Sequence, residues 1–291
     1  MTHDEIKRAN TLVFERLALL LNNRPDFINK EMVNELTEGF SLSVPEAFSL
    51  LLCAALGFDT EDDFERALWE SYAPYMIHHL DESVFTSDPF YKATRASERK
   101  CINEWELRVD RLEPYTAFVC DDPLTLPDGR IIPQIGFFDC EFEFLSVLQG
   151  GREWMTLMPN EIVTQRLPIK KASGRVCTYG LGLGYFAFMC ADKDEVESVT
   201  VVERDESVVS LFKEILLPCF THPEKIEIVV ADAFEFAEAS APARGFDYIF
   251  ADIWHDPSDG VSAYKRFKTL EKLCPSTRFD YWIEKTLKLY M

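Results

Sequence analysis

Apolar positions near the start of the chain fall at helical spacing. Ile6, Leu12, Val13, Leu17 and Leu20 share one face and predict a helix that ends near Asn22-Asn23-Arg24-Pro25. Residues 27–40 continue the pattern, and Ser43-Val44-Pro45-Glu46 opens a third, more apolar helix running to about Leu56. Shorter helical stretches follow at 59–72 and 74–81, and Pro89 opens a long charged helix to about Leu112. Residues 1–113 therefore read as a helical domain. Residues 114–158 change period: 115–120, 130–138, 141–148 and 153–158 are strand-like runs rich in Phe, Ile and Val. Pro127-Asp128-Gly129 and Gln149-Gly150-Gly151 supply hairpin turns between them. Asp139, Glu141 and Glu143 alternate with Phe138, Cys140, Phe142 and Phe144, which predicts one solvated and one buried face.

From residue 159 onward helix and strand patterns alternate. Pro159-Asn160-Glu161 caps a helix to about Leu167. Val176-Cys177-Thr178 is a short apolar strand, followed by Tyr179-Gly180-Leu181-Gly182-Leu183-Gly184 and the start of another helix. Three more apolar runs each reach an acid: Val199–Val202 at Glu203, Val229-Val230-Ala231 at Asp232, and Tyr248–Ala251 at Asp252. Repeated strand–helix alternation predicts an α/β fold with a Rossmann-like parallel sheet over residues 159–291. After Asp252, residues 261–273 read as a helix, and 278–289 as either a fifth strand with a short helix or one amphipathic helix. That leaves no room for a further terminal hairpin. Either strands from 114–158 complete the sheet or the sheet is small.

A glycine turn between strand and helix lets a ligand approach the backbone closely, and the helix start supplies N–H donors. A carboxylate at the end of the next strand accepts hydrogen bonds from ribose hydroxyls. Gly180, Gly182 and Gly184 with Glu203 fit that pattern for a nucleoside. The spacing is G-x-G-x-G, with Tyr185 where the dinucleotide fingerprint has its third glycine, which disfavours NAD and FAD. The segment Asp252-Ile253-Trp254-His255-Asp256-Pro257-Ser258-Asp259-Gly260 concentrates carboxylates, an imidazole and an indole. Asp252, His255 and Asp256 are the candidate catalytic residues, able to take a proton from an attacking amine or hydroxyl. Trp254 and Tyr185 are the substrate-facing candidates, the indole as a cation–π cover. Ordinary turn and capping chemistry also accounts for much of this loop, with Asp259 capping the next helix.

The net charge of −20 makes nucleic acids and anionic membranes poor partners, because both need basic surface, and neither is expected. The chain has eight cysteines and no C-x-x-C pair; several sit in apolar runs, as reduced thiols of a cytoplasmic protein do. The histidines form no metal-spaced cluster, so no metal is expected. The N-terminus has no charged-then-apolar order of a signal peptide, and no apolar run approaches membrane-span length.

Taken in order, the glycine turn, Val202-Glu203-Arg204-Asp205, Val229-Val230-Ala231-Asp232-Ala233 and Phe246-Asp247-Tyr248-Ile249-Phe250-Ala251-Asp252 resemble the class I S-adenosylmethionine-dependent methyltransferase fold. Within it, the chain looks most like the spermidine synthase branch of aminopropyltransferases. The resemblance covers about residues 150–265. It implies that Tyr179, Gly180, Leu181, Gly182 and Gly184 lie along the cofactor, with Glu203 and Arg204 at the ribose. It places Asp232 and Ala233 at the adenine and Asp252 facing the transferred group. The cofactor implied is S-adenosyl-L-methionine or its decarboxylated form. Leu183 stands where spermidine synthases carry an acid that meets the donor's amine, and Thr178 where many methyltransferases carry an acid. The leading expectation is a methyltransferase acting on a small-molecule acceptor, amines included. The alternatives are an aminopropyltransferase and a catalytically inactive nucleoside-binding or scaffold protein. The helical domain is left as a lid, a homodimer contact or a partner-binding element.

Overall fold

The computed structural model describes residues 2–97 and 99–291, and its contacts divide into two units. The first comprises Met1–Val84 and Arg111–Glu143; the second, Phe85–Asp110 and Phe144–Met291.

In the first unit, helices His3–Asn23, Lys30–Phe40, Val44–Ala55 and Asp63–Met76 enclose a core that includes Val13, Leu17, Val33, Phe48, Leu52 and Tyr72. Their starts follow local chemistry. Thr2 and Glu5 form a capping box, Asn29 accepts from the Met32 N–H, Ser43 and Glu46 form a second box, and Asp62 caps the fourth helix. The fourth helix absorbs Pro74 near its end, where residues 59–72 and 74–81 read as two helices. Ile77–His79 then leaves as a strand parallel to Ile131–Phe137, which pairs antiparallel with Phe118–Thr125 across the Pro127-Asp128-Gly129 turn. Gly136 makes that crossing possible, since a Cβ there would press on Leu80 and Cys120. Glu141 and Glu143 are exposed while Phe142 and Phe144 are buried, as the alternation predicts.

The second unit is an α/β fold around a five-stranded parallel sheet: β1 Gly174–Tyr179, β2 Val196–Glu203, β3 Ile226–Val230, β4 Tyr248–Ala251 and β5 Arg278–Tyr281. The order is β3-β2-β1-β4-β5, with every neighbouring pair parallel. This is the Rossmann-like arrangement expected from the alternation, and its order reverses direction at β1. Both faces of the central strands are covered, so Val176, Cys177, Val199, Val201, Ile249 and Phe250 are buried. Arg278–Tyr281 takes the strand-then-helix option, followed by helix Glu284–Leu289.

The sheet is completed by no strand from 114–158. Phe142–Gln149 and Arg152–Thr156 instead join Lys100–Ile102 and Trp105–Leu112 in a separate four-stranded sheet. Residues 89–112 therefore correct the expected long helix: Pro89–Thr94 is a short one, and strands follow. Trp105 and Leu107 are buried while Glu106 and Arg108 are less so, a period of two concealed by the charges between. Asn103, at φ +54°, turns the hairpin between those strands. Among the described residues, no helix is long and apolar enough to cross a membrane.

Candidate active site at the strand ends

The direction of winding reverses between β1 and β4, and open parallel sheets bind ligands in the crevice outside such a point. Here the two strand ends are tied closely together. The Asp252 N–H donates to the Tyr179 carbonyl at 2.9 Å, and a Cβ on Gly180 (φ +96°) would overlap the Asp252 carbonyl oxygen. Gly184 (φ +83°) begins helix Tyr185–Ala191, and a Cβ there would overlap the Phe212 ring. Only glycine fits either place.

Glu203, at the end of β2, is held by three backbone donors. Its Oε1 accepts from the Arg204 and Asp205 N–H groups at 2.8 and 3.0 Å, and its Oε2 accepts from Leu181 at 3.2 Å. A carboxylate has about four acceptor positions, so Glu203 is fixed beside the glycine turn with capacity for one more donor. The Arg204 side chain is exposed. Asp232 caps helix Ala233–Ala239 through Oδ1, which accepts from Phe234 and Glu235 at 2.9 and 3.1 Å. That capping role does not use its Oδ2. Ala233 is buried at the first helical position.

Other sequence candidates are occupied by packing. The Tyr179 ring is buried, stacked on Phe267 at 5.1 Å between centroids, and burial pushes its phenol pKa up. Tyr185 is buried edge-on to Phe90, and its hydroxyl donates to Asp88 Oδ2 at 3.1 Å. Tyr185→Phe removes that bond alone and is expected to cost about 1 kcal/mol in urea unfolding. Leu181 and Leu183 are buried as well. Trp254 is buried against Gly260 and near Leu287; a Cβ on Gly260 would lie 2.8 Å from both side chains.

Asp256 caps helix Pro257–Leu270, accepting from Ser258 at 2.6 Å, and Asp259 closes the capping box. Asp256 is thus the cap and Asp259 the third helical residue, where the loop pattern predicts Asp259 as the cap. His255 is exposed; its Nδ1 lies 3.1 Å from Asp259 Oδ2, and its ring stands edge-on to Trp154 at 4.2 Å. Burial raises the Asp259 carboxyl, but hydrogen bonds from His255 and the Asp256 backbone outweigh it and hold the pKa below the ordinary value.

A further site residue comes from outside the predicted set. Glu161, in the first turn of helix Pro159–Lys171, is buried with its carboxyl near that of Asp252. A first-turn acid reads as a partner of the helix dipole, so the sequence carries no sign of this role. Desolvation raises both pKa values, that of Asp252 to about 7 and that of Glu161 well above the ordinary range, with the Asp252 charge adding to the Glu161 shift. Gln165, one turn along the same helix, donates to Glu161 Oε2 at 3.3 Å, and its own Oε1 is buried without a donor. Two carboxyls and an unpaired amide oxygen thus gather at the end of β4.

No protein-family model matches the chain, and no curated protein does. Among solved structures it is similar to a spermidine synthase in complex with the transition-state analogue AdoDATO, at 16% identity over 57% of this chain and 51% of that one, with a TM-score of 0.34. It is similar also to the spermidine synthase from Thermotoga maritima, at 16% identity over 57% and 52% of the two chains, with a TM-score of 0.33. The chain spans about half the length of these structures.

Proposed function

We propose that the second unit binds an S-adenosylmethionine-type nucleoside at the glycine turn, and that a small amine accepts its transferred group beside Glu161 and Asp252. The cluster of Glu161, Asp252 and Gln165 carries this reading. Glu161 and Gln165 are buried and Asp252 is half-buried; such a donor-poor group of acceptors is costly unless a donor-rich cation fills it, and an ammonium supplies three N–H donors. Glu203 and the free oxygen of Asp232 are the acceptors for the nucleoside's hydroxyl and amino groups.

When bound, the sulfonium donor supplies a carbon already activated for displacement. The work left to this chain is positioning and proton transfer. A carboxyl pair of which only one member is ionised presents a single negative charge. That charge takes a proton from the acceptor's ammonium, so that its nitrogen lone pair can attack. The donor would supply both the electrophilic carbon and the sulfur that accepts the bonding electrons, while Glu161 and Asp252 hold the acceptor nitrogen and its proton. Of the groups transferable in this way, methyl is favoured over aminopropyl, because Leu183 is buried and apolar where an aminopropyl donor's amine needs an acid.

Calorimetric titration with S-adenosylmethionine, its decarboxylated form and 5′-methylthioadenosine tests the nucleoside site. Micromolar binding is expected, with Glu203→Ala weakening it by at least about tenfold, the loss of a charge-assisted hydrogen bond. Absence of binding by all three ligands overturns the reading. Preference for the decarboxylated donor replaces methyl with aminopropyl transfer.

A further inference from the structure

The glycine turn is where a ligand would find free N–H donors, yet four of its five N–H groups, from Gly180 to Gly184, are taken internally. Gly180 donates to the Val202 carbonyl at 2.9 Å, Leu181 to Glu203 at 3.2 Å, and Gly184 to the Leu181 carbonyl at 2.8 Å. The Leu183 N–H points at the Met155 thioether, 3.2 Å from Sδ. The same sulfur lies over Gly182 (φ +51°), where a Cβ would overlap it. Three of these bonds go to a carbonyl or a carboxylate. The fourth goes to a thioether, a weak acceptor, and is the easiest to give up.

The strand geometry delivers Met155 to this place. In Arg152–Thr156, Met155 pairs with Val147 and Glu153 pairs with the next residue, Leu148, so Trp154 is an extra residue in the ladder. A bulge of this kind re-aims side chains. Trp154 meets the His255 ring, and Met155 meets the turn. Met155 retains partial solvent exposure, and its unbranched side chain has rotamers to move into.

We propose that Met155 is a displaceable internal ligand of the glycine turn: its thioether occupies the Leu183 N–H and the space over Gly182 that a bound nucleoside takes. The inference rests on the nucleoside-binding reading above and adds a gate to it. Apparent affinity is then lowered by the fraction of molecules in which Met155 has swung away.

The test is calorimetry with S-adenosylmethionine and 5′-methylthioadenosine on the wild-type chain, Met155→Ala and Glu203→Ala, together with carbon-13 methyl NMR of methionine-labelled wild-type protein. With the open form populated at a tenth or less, Met155→Ala binds at least about tenfold more tightly. The Met155 methyl signal, assigned by its absence in Met155→Leu, shifts as the wild-type protein is saturated. Equal or weaker binding by a folded Met155→Ala overturns the gate, and so does a methyl signal unmoved at saturation. The NMR arm needs no destabilising substitution. Binding that is lost in Glu203→Ala but indifferent to Met155 rejects the gate alone. Absence of binding to both wild-type protein and Met155→Ala rejects the gate and the nucleoside site together.

Discussion

Gly180→Ala is expected to destabilise the second unit by about 3–5 kcal/mol, a fall in urea midpoint large enough to see in a single pair of unfolding curves. Two costs combine. At φ +96° an alanine is strained by itself. Its Cβ also meets the Asp252 carbonyl oxygen, which is backbone and has little freedom. Moving that peptide away breaks the 2.9 Å bond from the Asp252 N–H to the Tyr179 carbonyl, which ties β4 to β1 where the site lies. Gly151→Ala separates the two costs. Gly151 sits in a hairpin at φ +79°, and a Cβ there would have nothing within 4 Å, so only backbone strain applies, about 1–2 kcal/mol. Equal losses for the two variants would show that the Gly180 contact with Asp252 carries no energy.

The contrast also shows what kind of information the sequence holds. Glycines at a strand-to-helix turn, and acids closing successive apolar runs, are local patterns. They locate Gly180, Gly184, Glu203, Asp232 and Asp252 at the ends of parallel strands, because strand polarity fixes which end each acid occupies. Glu161 and Met155 have no such pattern. Each precedes the sheet in sequence and reaches the site only through tertiary placement, one by a helix start and the other by a bulge. Residues 100–112 read as helix for a related reason: a strand whose exposed face is charged resembles a polar helix unless the period of Trp105 and Leu107 is given more weight than the charges. At Trp254, composition points to a cation cover, while packing against Gly260 and Leu287 depends on a C-terminal helix that a loop motif cannot foretell.

On the function proposed above, Asp252→Asn is expected to abolish most transfer activity; independently of that function, it is expected to stabilise the protein above neutral pH. Loss of a positioned base lowers turnover by about 10²–10⁴-fold. The stability effect has the opposite sign and follows from linkage. In the unfolded chain Asp252 releases its proton near the ordinary carboxyl pKa of about 4. In the folded protein desolvation holds the proton on until about 7. Between those values the folded state binds more protons than the unfolded one, so stability falls as pH rises through that window. Below it both states are protonated and the penalty is absent. An amide cannot ionise, so Asp252→Asn removes this slope, leaving that of Glu161 with a weaker neighbouring charge. The gain is at most about 4 kcal/mol at pH 8, or roughly 10 °C in Tm, and is small near pH 4. Thermal melts of both proteins at the two pH values measure it. A carboxyl retained for structural reasons gives the reverse: a variant that melts lower than the wild-type chain, by the same margin at both pH values. A base kept at the expense of stability is what a catalytic site requires, because enclosure is what moves its pKa into the range where it can exchange protons with an amine.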